Sequence, residues 1–588
     1  MTITDQPRVL REYALIADGE RGGLIAPDGS IVWLCAPRWD SPAAFAALLG
    51  GPGRYAVTPA DPWYVWGGYY EPGTLIWHSR WTGEVRTECR EALAMPADPH
   101  RVVLLRRIEA VDGPARVHVA LDLRSGFGRS RMSELSRSKG CWTGRSGPLR
   151  FRWSGAARAK PDDRRGLTTS LQVAEGAWHD LVLEISDRDL PDSPPDPEAE
   201  WQATQQQWSS AVPSCDDLIA ARDARHAYAV LRGLTAGTGA MVAAATTSLP
   251  ERLEARLNYD YRYAWIRDQC YAGLAFAAHG GHPMLDASVR FVAERILSDG
   301  PGLRPAYTVT GRPVPPERSL RPRGYPGAAA RAGNHVFAQF QLDVFGEALQ
   351  LLAAAARLDR LDATGWRAAE TAVAAIEQRW SEPDAGIWEL NDEQWTHSRL
   401  ACVAGLRAAA AAAQGPLGGN GRRQAAKWSA LADTILAGLG DCVHPSGRWQ
   451  RSPTDKRPDA ALLLPAVRGA VAVDDPRSQA TLSAVRDELT DDGYVYRFQH
   501  DSRPLHRTEG AFLLCGYWMA LACCAGGDLP EARDWFERNR SACGPAALYT
   551  EEYDVHQRQL RGNLPQAFVH AALLETAARL SAAREATP

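Results

Sequence analysis

Asp187-Arg-Asp-Leu-Pro-Asp-Ser-Pro-Pro-Asp-Pro197 divides the chain into two unlike parts. Its four prolines and four aspartates restrict the backbone and hold water, which predicts a stiff, solvated connector. Ahead of it the apolar pattern has period two. Val117, Val119, Leu121 and Leu123 alternate with Arg116, His118, Ala120 and Asp122, as in a sheet with one wet face. Leu181, Leu183 and Ile185 repeat that pattern. Pro27-Asp28-Gly29, between Leu24–Ala26 and Ile31–Cys35, is a hairpin signal. No long helical periodicity precedes about Glu198, so residues 1–190 are expected to form a β-sandwich.

Residues 191–214 read as the connector and a short helix whose Trp201 and Trp208 share one face for docking. From Cys215 to residue 588 the spacing becomes helical. Trp366, Ala369, Val373, Ile376 and Trp380 make one apolar stripe. Similar runs occur near 216–235, 267–279, 283–298, 335–357, 396–414, 422–438, 476–488, 506–526, 529–540 and 565–584, with a weaker one near 456–466. Six inner and six outer helices closing into an (α/α)6 toroid would use them all, and an irregular bundle is the competing arrangement.

Composition narrows the function. The chain has 588 residues, 45% hydrophobic and 23% charged, so it is a globular protein of more than one domain. A net charge of -4 argues against a nucleic-acid partner, because phosphate binding needs excess Lys and Arg. The 11 cysteines are scattered without a C-x-x-C pair, which points to reduced thiols and a cytoplasmic protein. Met1-Thr-Ile-Thr-Asp-Gln-Pro-Arg8 lacks an apolar signal core, and the longest apolar run, Ala511 to Ala525, falls short of a bilayer span. No His/Asp/Glu cluster at ligand spacing indicates a metal. The aromatic-rich Asp61–Tyr70 segment is a candidate surface for contact with a second copy.

Three segments carry chemistry. Tyr261-Arg-Tyr-Ala-Trp-Ile-Arg-Asp268 places aromatic faces that stack on sugar rings beside an Arg-Asp pair able to grip adjacent hydroxyls. Gly386-Ile-Trp-Glu389 and Leu548-Tyr-Thr-Glu-Glu-Tyr-Asp554 each offer a carboxylate beside an aromatic, as the two sides of a glycosidic bond require.

With Tyr13-Ala-Leu-Ile-Ala-Asp-Gly19, Thr246-Thr-Ser-Leu-Pro250, Glu509-Gly-Ala-Phe-Leu-Leu-Cys515 and Gly562-Asn-Leu-Pro-Gln-Ala-Phe568, these segments resemble the bacterial branch of the family 15 glycoside hydrolases. That branch includes glucoamylase, glucodextranase and trehalase relatives. The resemblance implies an inverting, exo-acting α-glucosidase with two catalytic glutamates and no organic cofactor. Its partner is a small carbohydrate: trehalose, a malto- or isomalto-oligosaccharide, or a glucosylated small molecule. Inversion needs carboxyls roughly 6.5–9.5 Å apart, one protonated through apolar surroundings and the other kept ionised by hydrogen bonds.

Glu389 matches the family's general acid, next to Trp388, whose indole could desolvate it; a glutamate capping the following helix is the plainer reading. Glu551 matches the general base, the first acidic residue of Thr550-Glu551-Glu552-Tyr553. Glu552 is expected as its structural neighbour or a ligand to a sugar hydroxyl, because adjacent carboxylates point to opposite sides. The resemblance assigns Arg267 and Asp268 to the terminal sugar, Tyr261, Trp265 and Trp388 to the pocket wall, and Arg331 and Asn334 to a loop feeding it. An Arg267–Asp268 ion pair at a helix start is the structural alternative. His397 reads as structural, and Glu509 either borders the site or, the preferred reading, caps the apolar helix after it.

Two stretches depart from the family pattern. Leu390–Trp395 is short, and Gly324–Arg331 is poor in arginine, which leaves the leaving-group preference open. A disaccharide phosphorylase of similar plan, or a catalytically silent sugar-binding protein, are the competing functions. The acidic Glu551-Glu552 pair would repel phosphate and speaks against the first.

Overall fold

The computed structural model describes residues 7–162, 166–251, 257–280, 282–326, 328–414, 418–500 and 503–586. Met1–Gln6, where the leader reading begins, lies outside them. Two eight-stranded antiparallel sheets come first. In one, neighbours run Ala14–Ala17, Gly22–Ile25, Ser30–Cys35, Arg54–Pro59, Ala115–Asp122, Leu167–Val173 and Lys160–Pro161, with Ala43–Phe45 pairing to Ser30–Cys35. In the other they run Met132–Ser138, Cys141–Ser146, Leu149–Ser154, Trp178–Ser186, Arg101–Ala110, Arg86–Leu93, Trp77–Thr82 and Val65–Tyr70.

The alternation seen in sequence is the sheet's inside and outside: Ala115, Val117, Val119 and Leu121 are buried, while Arg116 and His118 are exposed. The hairpin at Pro27–Gly29 closes with Asp28 accepting from Ser30 N at 3.0 Å. Gly29 has φ +77, and a Cβ there would lie 2.1 Å from the Val57 carbonyl, so the turn excludes a side chain. Arg106 crosses the sandwich, pairing with Glu91 at 2.6 Å and donating to the Tyr55 and Gly29 carbonyls of the facing sheet.

The connector is strapped down rather than free. Arg152 donates to the carbonyls of Pro191 and Ser193, each at 2.7 Å. Its last aspartate, Asp196, caps the helix Pro197–Ala211. That helix docks on the sandwich. Trp201 donates to Asp180 at 3.2 Å, and Met95 N donates to the Thr204 hydroxyl at 3.0 Å.

The helical part is a closed ring. Its inner helices are Ile266–His279, Asp343–Arg357, Thr396–Ala413, the short segment Ala460–Val467, Leu513–Ala525 and Ala567–Ala586; each touches the next and the last returns to the first. Outer helices Ala221–Gly233, His282–Asp299, Ala363–Arg379, Gly418–Ala437, Pro476–Glu488 and Leu529–Arg540 back them. Small residues set the spacing. A Cβ on Gly346 would fall 2.3 Å from Ala401 backbone, and one on Gly405 would fall 2.4 Å from the Gly346 carbonyl.

The two parts interlock beneath the ring's loops. Trp33 of the sandwich donates to the Ala245 carbonyl at 2.8 Å, and Arg262 reaches back to the Ser41 carbonyl at 2.8 Å. Among the described residues no helix is long and apolar enough to cross a membrane, and all eleven cysteines are free thiols. Val65–Tyr70 of the aromatic-rich segment is an edge strand, with Val65 exposed on it and Trp63 exposed just ahead of it.

Candidate active site

Tyr261–Asp268 is fixed from both sides before it reaches the site. Ala243 N and Ala244 N donate to the Tyr263 and Tyr261 carbonyls, and Arg262 is buried against Asp260 at 2.7 Å. Ala264–Trp265 then pairs with Ala306–Tyr307, and the helix starts at Ile266. Side chains alternate along this extended stretch. Arg262 therefore points to the sandwich, while Tyr261 and Trp265 enter a cavity of about 200 Å³ at the end of the ring.

Seven of the nine expected site residues line that cavity: Tyr261, Trp265, Arg267, Asp268, Trp388, Glu389 and Glu551. Glu389 and Glu551, distant in sequence, share it. Trp265 Nε1 donates to Glu389 Oε1 at 2.7 Å, and the Arg267 guanidinium lies 3.6 Å from the same oxygen. Glu389 has φ 56, a left-handed conformation that costs a glutamate about 1 kcal/mol. The tight loop around it imposes this. Asp384 accepts from Gly386 N and the Ser398 hydroxyl at 2.8 Å each, and Leu390 N bonds the Ala385 carbonyl. Glu389 does not cap the next helix, which begins after Trp395 without a side-chain cap.

Trp388 lines the cavity as expected, but its indole does not bond the Glu389 carboxyl. Its Nε1 donates to Asp459 at 2.9 Å, and its ring packs on Phe512 and Trp518. Trp265 is the indole that meets the Glu389 carboxyl. Arg267 pairs with Asp343 at 3.1 Å and with Gln341 at 2.8 Å, not with its neighbour Asp268. Asp268 is buried in the first helical turn, and burial together with the Glu389 charge pushes its carboxyl up to about 7.

Glu551 receives the Tyr261 hydroxyl at 3.0 Å. Its carboxyl was expected to be held low. Burial, reinforced by the like charge of Glu251, instead drives it well above the usual carboxylate range. Glu251 lies 3.2 Å from the same hydroxyl and is itself pushed up to about 7 by burial.

Two expected residues lie elsewhere. The Arg331 guanidinium bonds Glu317 at 2.5 Å and does not line the cavity. Glu552 accepts from Gly510 N at 2.8 Å on the opposite face of its strand, since consecutive strand residues point apart. Asn334 caps a short turn by accepting from Val336 N at 2.9 Å. His397 is buried beside a smaller cavity behind Trp388. Glu509 is not a cap; it pairs with Arg497 and with His500 at 2.7 Å.

Glu251, Arg497, His500, Tyr259 and Gln566 also line the cavity, and sequence reading passed them over. Glu251 directly follows the family segment Thr246–Pro250, a signal one residue away. Arg497 had no such signal; the fold stacks it 4.3 Å from the Phe512 ring and 5.5 Å from that of Trp388. Outside the cavity, Asp491, His506 and His556 bring ligand atoms within 4.8 Å of one another, a group able to hold a metal ion that linear spacing concealed.

Residues 225–578 match the model for Glycosyl hydrolases family 15, and residues 3–208 match Trehalase-like, N-terminal. The chain is 31% identical over 628 residues to the trehalase of Mycolicibacterium smegmatis, covering 98% of this chain and 92% of that protein. It is 26% identical over 592 residues to the trehalase of Thermoplasma acidophilum, covering 95% and 98%. A bacterial glucoamylase complexed with acarbose superposes with a TM-score of 0.72 at 14% identity, covering 98% of this chain and 95% of that one, a likeness of fold. A sheet-rich N-terminal part, a helical ring and a family match across most of the ring lead to one assignment: the chain belongs to family 15 of the glycosyl hydrolases and is a glycoside hydrolase.

Proposed function

We propose that this enzyme hydrolyses trehalose with inversion, Glu389 acting as general acid and Glu551 as general base. The observation that carries the reading is that both carboxyls line one cavity, each with its own donor from a single segment. The trehalase relatives along nearly the full chain support the substrate. In the reaction Glu389 gives its proton to the glycosidic oxygen as the C–O bond breaks. Glu551 takes a proton from a water that attacks the anomeric carbon from the opposite face. Arg267 and Asp268, which line the same cavity, are the groups assigned to the hydroxyls of the terminal glucose, with Tyr261, Trp265 and Trp388 to the wall around its ring.

Early-time proton NMR on trehalose tests this. Both rings of that disaccharide are α-linked, so inversion releases one β-glucose from the attacked ring and one α-glucose as leaving group. Equal initial amounts of the two anomers are expected. Initial release of α-glucose alone would overturn inversion, and no release at all would overturn the substrate.

A further inference from the structure

The Tyr261 hydroxyl has one proton and two carboxyl neighbours, Glu551 Oε2 at 3.0 Å and Glu251 Oε1 at 3.2 Å. Both glutamates are buried and both line the cavity. Their approach is built into the backbone. Gly562 N donates to the Pro250 carbonyl at 2.9 Å, tying the Glu251 loop to the hairpin Glu552–Arg561 beside Glu551. Gly562, at φ +88, stands between the two: a Cβ there would lie 3.5 Å from Glu251 Cγ and 3.8 Å from Glu551 Cβ.

We propose that Glu251 is a positioning residue for the reaction, one that faces Glu551 across the Tyr261 hydroxyl and makes the base a stronger proton acceptor. The inference rests on the assignment of Glu551 as base. A carboxylate with sole claim to a phenol proton is stabilised in its charged form and is a weaker base. Glu251 contests that proton and adds like charge. The direction of the Glu551 proton affinity, raised by burial and then by Glu251, agrees with this geometry. Raising the base toward the working pH improves proton abstraction from water.

Other charged and titratable groups also face the pair. Glu251 is also faced by Arg497, Tyr259, Glu509 and Glu552. Glu551 is also faced by Arg497, Asp268, Glu552, Tyr259 and Cys515. Arg497 is the cation common to both carboxyls, which keeps the site from accumulating uncompensated negative charge.

The test is the pH dependence of kcat/KM on trehalose for the full chain and its Glu251→Gln, Tyr261→Phe and Glu551→Gln variants. Glu251→Gln keeps the shape and removes the charge, so the acid limb is expected to move to lower pH by about one unit, with the plateau kcat reduced roughly threefold to thirtyfold. Tyr261→Phe removes the donor and is expected to move that limb to higher pH. Glu251→Ala, expected to move the limb to lower pH as Glu251→Gln does, serves as the deciding variant if Glu251→Gln does not fold. An acid limb unmoved in the folded variant overturns the proposal. So does a loss of about 10²–10⁴ in Glu251→Gln, which would make Glu251 the base itself. Full activity in Glu551→Gln defeats the underlying assignment of the base. An inactive Glu551→Gln with an unmoved limb in Glu251→Gln defeats this inference alone.

Discussion

Trp265 Nε1 donates to Glu389 Oε1 at 2.7 Å, and the edge of that indole meets the Tyr261 ring at 5.5 Å between centroids. Tyr261 in turn holds Glu551. Two carboxyls far apart in the chain are thus registered by residues four positions apart, so the backbone of Tyr261–Trp265 governs their relative placement.

Trp265→Phe keeps the aromatic wall and deletes the donor. A hydrogen bond to the carboxylate that forms as Glu389 gives up its proton contributes about 1.5–3 kcal/mol, so kcat should fall roughly tenfold to a hundredfold. KM should change by less than about threefold. Steady-state kinetics on trehalose checks both, and unchanged kcat would mean that the contact does not orient the acid.

Glu389→Gln and Glu551→Gln should each lower kcat/KM by about 10²–10⁴. The double variant should be little slower than the worse single one, because both groups serve one transition state. Multiplying losses would show that the two act independently.

Arg262 is buried between the ring and the sandwich, paired with Asp260 and bonded to the Ser41 carbonyl. Arg262→Met leaves Asp260 buried without its cation, at a cost of about 3–5 kcal/mol. Adding Asp260→Asn should recover part of that loss. Thermal unfolding of the two variants measures the difference, and a double variant less stable than the single would refute the pairing argument.

Glu575 is buried against Arg468, at 2.5 and 2.8 Å, and Arg579 at 2.9 Å. Although burial opposes ionisation, these cations hold its carboxyl down to about 2 from an ordinary 4.5. The folded protein therefore releases this proton more readily than the unfolded chain. The resulting stability is fully present above about pH 4.5 and is lost as pH falls through about 2, and it amounts to about 3 kcal/mol. Glu575→Gln should be less stable at pH 7 by about that amount, the gap narrowing steadily toward pH 2. Denaturant unfolding across pH follows it, and a constant gap would sink the linkage.

Local chemistry explains which parts of the architecture could be read in advance. Burial on one face of a strand leaves a period of two, as at Val117, Val119 and Leu121. Burial of a helix leaves a stripe, as at Trp366, Ala369, Val373 and Ile376. The weakest helical signal, near 456–466, became a 3-10 turn followed by one turn of α-helix at Ala460–Val467, too short to leave a full stripe. Glu389 and Glu551, which line one cavity, could be singled out in advance because the residues flanking each are distinctive.

Arg331, Glu552 and Glu251 mark where that legibility stops. Nothing in a linear string says that Arg331 meets Glu317, that Glu552 takes Gly510 N, or that Glu251 faces Glu551 across a tyrosine. Order along the chain carries periodicity, turn chemistry and the identity of reactive groups, since those depend on near neighbours. Which groups share a cavity, and how far burial and a neighbouring charge move their protons, depend on contacts hundreds of residues apart. Electrostatic energy follows distance through space and local dielectric, and folding sets both.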